Sequence, residues 1–73
     1  MVTVEVPVLA EDVSTPMRNM RQWLDDMRFD PSSFALREIA GHFVVRVRFK
    51  SAFEAAAFAE HFAGRGALIL ARV

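Results

Sequence analysis

The chain contains no cysteine. This absence excludes a disulfide scaffold and a thiolate zinc site, two common ways of stabilising a chain of only 73 residues. No apolar run approaches the roughly 18 residues that a membrane-spanning helix needs. The first ten residues show no basic leader before an apolar segment, so no signal peptide is expected. These absences favour a soluble cytoplasmic protein with no membrane partner, metal site or cofactor.

A charge surplus is missing as well. Nine basic and nine acidic side chains give a formal net charge of zero, whereas nucleic-acid-binding domains usually carry a basic surplus. Eight of the nine basic residues are arginine, a bias that we attribute mainly to a GC-rich, bacterial genome. Hydrophobic residues make up 53% of the chain, which is generous for so small a core and leaves self-association open.

Alternating apolar and polar residues predict strands over residues 2–8 and 42–50. Two further strands are predicted at 34–39, where the alternation is less regular, and at 67–73. Residues 40–41 form a link short enough for a tight hairpin, with glycine supplying a positive φ.

Two helices are predicted between these strands. In the first, Thr15 suits the N-cap and Pro16 suits the first helical position, where its missing N–H costs nothing. Ser51 and Glu54 have the spacing of a capping box and predict the start of the second helix. Gly64 is predicted to end that helix as its C-terminal cap.

The predicted order β-α-β-β-α-β is that of an α+β, ferredoxin-like sandwich formed by a single domain, 1–73. Right-handed crossovers place the strands of an antiparallel sheet in the order 4-1-3-2. Both helices then cover one face of the sheet, and the other face is open.

Residue parity assigns arginines, aliphatic residues and one glutamate to the open face. Glu5, on a central strand, is expected to pair with Arg46 or Arg48 on a neighbouring strand, or with Arg72. We predict that the face either is simply solvated or binds another protein, most simply a second copy in a two-fold homodimer. The residues predicted for the centre of this interface are Ile39, Val44, Leu68 and Leu70.

Nucleic-acid binding on the same face is an alternative that the sequence favours less. It would use the four arginines of the face, which are Arg37, Arg46, Arg48 and Arg72. The RNA-recognition motif shares the predicted topology, but its third strand presents aromatic side chains that stack on bases. The corresponding positions here are Val44 and Arg46, so no aromatic platform is expected.

Catalytic patterns are also missing. The chain shows no phosphate-binding loop, dinucleotide glycine motif, nucleophile elbow or metal-ligand spacing. His42 and His61 have no carboxylate or hydroxyl partner at catalytic spacing, and both are predicted to be surface residues. Small-molecule-binding domains of this topology often carry a glycine in the loop between the first strand and the first helix. Residues 10–15 contain none, so the sequence gives no prediction for or against a small ligand. The sequence therefore predicts a non-enzymatic domain that binds another protein or itself.

Overall fold

The computed structural model describes residues 1–70, with Leu70 described by its backbone alone. Among these residues, no helix combines the length and the apolar character that crossing a membrane requires. The elements, in chain order, are β1 (Val2–Val8), α1 (Ser14–Met27), β2 (Ser33–Ile39), β3 (His42–Phe49), α2 (Ala52–His61), a 3-10 turn (Ala63–Arg65) and β4 (Leu68–Leu70).

The four strands form one antiparallel sheet in the order β2-β3-β1-β4. This is the predicted order 4-1-3-2 counted from the opposite edge. The α+β class, the four-stranded antiparallel sheet and the two helices are therefore confirmed. β1 and β3 are the central strands, and β2 and β4 lie at the two edges.

The hydrophobic core lies on one side of this sheet. Alternate residues of β1 and β3 point to that side, and both helices contribute to the same buried cluster, so both cover the same face. Fully or nearly fully buried apolar side chains of the cluster are Val4, Val6, Met20, Leu24, Val45, Val47, Phe49, Ala55, Phe58, Ala59 and Phe62.

Trp23 of α1 joins the two helices through aromatic contacts. Its ring centroid lies 5.7 Å from that of Phe58 and 5.9 Å from that of Phe62, both edge-on. His61 stacks on the same indole at 4.9 Å, and Phe29 meets it edge-on at 5.5 Å. Edge-to-face pairs of this kind add to the free energy gained by burial alone.

The start of α1 differs from the prediction that Thr15 is its N-cap. The helix begins at Ser14, and Thr15 is a donor, since its N–H bonds Oδ1 of Asp12 at 3.3 Å. Asp12 thus satisfies a free N–H of the first turn from outside the helix. Pro16, predicted at the first helical position, is the third residue of the helix. It still lies in the first turn, where its missing N–H leaves no helical hydrogen bond unmade.

The end of α2 also differs from the prediction, because Gly64 is not its cap. The helix ends at His61, the chain continues through a 3-10 turn, and Gly66 then adopts a left-handed φ of 86°. A Cβ on Gly66 would lie 3.3 Å from Cγ of Pro7. The left-handed backbone conformation therefore favours glycine at position 66, and a side chain there would also crowd the Pro7 ring.

The hairpin between β2 and β3 is a two-residue turn, as predicted. Ala40 and Gly41 both have positive φ, 52° and 81°, which is the signature of a type I′ turn. The turn places Ile39 opposite His42 and thereby fixes the register of the whole β2–β3 pair.

Ser51 forms its half of the predicted capping box, since its Oγ accepts a hydrogen bond from the Glu54 N–H at 3.3 Å. The Ser51→Ala variant is expected to lower the free energy of unfolding by about 1 kcal/mol, because the Glu54 N–H loses its acceptor. Urea denaturation measures this change. Ser14→Ala is the control: Ser14 starts α1 on an exposed site and should change stability by less than about 0.5 kcal/mol. Equal losses in the two variants would contradict the role assigned to Ser51.

Candidate functional site

The sheet face opposite the helices, which we term the open face, is the candidate site. The register places Glu5 opposite Arg46 on one side and Leu68 on the other, so the three side chains share this face. The same alternation places on the open face the residues of β2 and β3 that the sequence predicted for it. Members of the open face are Thr3, Glu5, Pro7, Ser33, Ala35, Arg37, Ile39, His42, Val44, Arg46, Arg48 and Leu68.

Glu5 and Arg46 form an ion pair in the middle of the open face. Arg46 Nε donates to Glu5 Oε2 at 2.7 Å, and Nη2 of the same guanidinium contacts the same oxygen. The Arg46 side chain is 31% exposed and that of Glu5 only 16%. Of the partners predicted for Glu5, the structure thus selects Arg46. The centre of the open face is consequently neutral, and Arg46 is already engaged.

Apolar side chains cross the open face from one edge of the sheet to the other. Val44 on β3 lies directly opposite Pro7 on β1. Ile39 is the diagonal neighbour of Val44, and Leu68 is the diagonal neighbour of Pro7. Diagonal neighbours lie about 7–8 Å apart, which is within contact range of large side chains. We term the line formed by Ile39, Val44, Pro7 and Leu68 the apolar diagonal.

The two ends of the apolar diagonal are the most accessible large apolar side chains of this face. Ile39 is 44% exposed and Leu68 is 62% exposed, while Val44 is half-buried between its neighbours. Of the four predicted interface residues, three thus lie on one line. The fourth, Leu70, is paired through its backbone with Thr3, and its side chain lies outside the described part of the chain.

Sequence reasoning missed Pro7 as a member of this surface. The signal that identifies it is parity, because Pro7 follows Thr3 and Glu5 at intervals of two. Pro7 is exposed, and its register position between Val44 and Leu68 completes the line of apolar residues across the face.

Among the described residues, the two arginines of the open face other than Arg46 do not lie side by side. Arg37 lies opposite Val44, whereas Arg48 lies opposite Ser33, four residues earlier on β2. Four residues of a strand span about 13 Å. Arg46 is bound to Glu5, and Arg72 lies outside the described residues. On the third strand, Phe49 lies in the core on the opposite face, so it offers no ring to a base.

A groove of about 510 Å³ opens where β1 leaves the sheet and β3 begins. Its walls include Pro16 and Phe43, and its polar groups include Asp12, His42 and Arg65. One of these polar groups is held in place, since Asp12 accepts a hydrogen bond from the Thr15 N–H. Within residues 1–70, no group of three His, Asp or Glu side chains is arranged to hold a metal ion.

The chain matches no protein-family model, no curated protein matches it, and no solved structure matches it.

Proposed function

We propose that this chain is a non-enzymatic protein-interaction module of ferredoxin-like architecture that associates with a second copy of itself through the open face. The observation that carries the proposal is the apolar diagonal, which crosses all four strands and has exposed leucine and isoleucine side chains at its ends. Contiguous exposed apolar surface of this kind is typical of interaction sites.

A second copy is the partner that this pattern fits best. A two-fold axis lying in the plane of the interface, along the apolar diagonal or at right angles to it, superimposes the diagonal of one copy on that of the other. Burying the face leaves no lone charge in its middle, because Glu5 and Arg46 neutralise each other within one copy. An unpaired buried charge would otherwise oppose association strongly.

The size of the open face supports a weak association. Four strands of about six residues cover roughly 20 Å by 20 Å, or about 400 Å² of flat area. Stable interfaces usually bury about 800 Å² on each partner, so the association should depend strongly on concentration. Sedimentation velocity tests the proposal: the weight-average mass should rise above that of the 8.2 kDa monomer as the concentration increases. A single monomeric species up to millimolar concentration would contradict it.

The arginines of the open face are expected to give no specific binding to nucleic acid. One is already paired, and the two other described arginines lie far apart, so few phosphates could be contacted at once. Fluorescence titration of a labelled single-stranded oligonucleotide at low salt should show no saturable binding. Saturable binding that weakens steeply with added salt, and is lost in Arg37→Ala or Arg48→Ala, would favour the nucleic-acid alternative instead.

A further inference from the structure

β2 presents a seven-residue strand with one unpaired side. The strand runs from Ser33 to Ile39 and pairs only with β3 among the described residues. It contains no proline, a residue that commonly protects a sheet edge from pairing with another chain, and its two charged residues, Arg37 and Glu38, have opposite signs. Leu36 lies on this edge, on the helix side of the sheet, and is 37% exposed.

The hairpin turn determines which backbone groups of β2 point outward. Ile39 and His42 flank a two-residue turn and form its closing hydrogen-bonded pair. Hydrogen-bonded pairs recur at every second residue of an antiparallel ladder, so the odd-numbered residues of β2 bond to β3. The N–H and C=O groups of Phe34, Leu36 and Glu38 therefore point away from the sheet.

Only a few registers allow this edge to pair with its own copy. In an antiparallel pair around a two-fold axis, outward-pointing residues must face one another, and opposite residues must lie on the same face. Centring the axis on Arg37 or on Glu38 places like charges directly opposite each other, which is destabilising. Centring it on Leu36 avoids this and uses all three outward-pointing residues, with Phe34 opposite Glu38 of the second copy.

Charge complementarity supports the same register. The Arg21 guanidinium lies over the Phe34 ring, 5.0 Å from its centroid. Directly opposite residues of paired strands have Cβ atoms about 4.5–5.5 Å apart. With Phe34 opposite Glu38 of the second copy, that carboxylate comes within reach of Arg21. The two-fold symmetry produces this contact twice.

We propose that the outer edge of β2 is a second self-association surface, distinct from the open face, which pairs with the same edge of a second copy about a two-fold axis at Leu36. The pairing joins two four-stranded sheets into one sheet of eight strands. Six backbone hydrogen bonds form: two between the Leu36 residues, and two at each Phe34–Glu38 pair. The Arg21–Glu38 contacts fix the register.

Disulfide cross-linking tests this register directly, because the chain has no native cysteine. In the proposed pair the two Leu36 Cα atoms lie about 5.5 Å apart, within the range that a disulfide spans. The two Glu38 Cα atoms are offset by four residues, or about 13 Å along the strand, which is too far. Leu36→Cys should give a linked dimer on a non-reducing gel after mild oxidation. Glu38→Cys, on the same edge and face and also exposed, should stay monomeric.

The outcomes of this experiment separate the edge from the open face. Neither Leu36 nor Glu38 lies on the open face, so association through the open face alone links neither variant. The proposal would be overturned if Glu38→Cys forms a linked dimer, whether or not Leu36→Cys does. It would also be overturned if neither variant forms one. Circular dichroism of the reduced variants establishes that both are folded, as the exposure of both sites leads us to expect.

A charge exchange provides an independent test in a Val44→Asp background, which blocks the open face. There, Arg21→Glu and Glu38→Arg should each shift sedimentation towards the monomer, because each places like charges against one another. The double variant Arg21→Glu/Glu38→Arg restores opposite charges and should restore the dimer. A double variant that dissociates as fully as either single variant would overturn the assigned register.

Discussion

Replacing Phe58 with alanine is expected to lower the free energy of unfolding by about 3–5 kcal/mol, a large part of the total for a domain of this size. Phe58 is fully buried between α2 and the sheet. Its ring centroid lies 4.8 Å from that of Phe62, 5.4 Å from that of Phe49 and 5.7 Å from that of Trp23. Removing the ring leaves a cavity where both helices pack on the central strands. Urea denaturation measures the resulting loss in the free energy of unfolding.

Phe53 provides a matched control for this experiment. It is the same residue type on the same helix, but it is 75% exposed. Phe53→Ala removes little buried surface and should change the free energy of unfolding by less than about 0.5 kcal/mol. Similar losses in the two variants would mean that the core does not lie where α2 packs on the sheet.

Replacing Val44 with aspartate is expected to weaken association through the open face by at least about a hundredfold. Val44 lies in the middle of the apolar diagonal, and a two-fold contact would bury two new carboxylates. In the separated chains the new carboxylate lies opposite Arg37, so folding should be preserved. Sedimentation velocity at high concentration should show a lower weight-average mass than that of the unmodified chain at the same concentration, since one two-fold contact is lost.

Phe53→Asp is the control for Val44→Asp. It also exchanges an apolar residue for a carboxylate, but it does so on an exposed helical site away from the open face. The weight-average mass of Phe53→Asp in sedimentation should equal that of the unmodified chain at the same concentration. Loss of association in Phe53→Asp with no change in Val44→Asp would place the interface on the helices. Leu68→Asp, at an exposed end of the apolar diagonal, should behave like Val44→Asp.

Much of the architecture could be predicted from β3 and its hairpin. Alternation along β3 predicts Val45 and Val47 on the helix side and Arg46 on the other, and the complete burial of both valines bears this out. Ala40 and Gly41 permit only a short turn, which fixes the register of β2. The strand order then follows from the right-handed crossover rule, because few other arrangements satisfy it.

The helix ends were harder to predict because several residues compete for one capping role. Asp12 and Thr15 are both suitable acceptors, and sequence alone does not show which one the chain brings to the first turn. Gly64 and Gly66 are both suitable terminators, and only the second adopts the left-handed conformation. The approach of Gly66 to Pro7 is a tertiary contact that no local pattern contains.

The candidate site was predicted in composition but not in arrangement. Parity identified Ile39, Val44 and Leu68, yet the continuous line through Pro7 depends on the register between strands distant in sequence. The pairing of Glu5 with Arg46 depends on the same register, and it decides that the middle of the face is neutral.

The most direct test of the open face as the self-association surface is a concentration series of methyl NMR spectra. Val44 and Val45 are adjacent in sequence but point to opposite faces, and Val45 is fully buried beneath the helices. With rising concentration, the methyl signals of Ile39, Val44 and Leu68 should shift, while those of Val45 should stay constant. Constant signals from Val44 and Leu68, in a protein that sedimentation shows to be associating, would contradict the proposed surface.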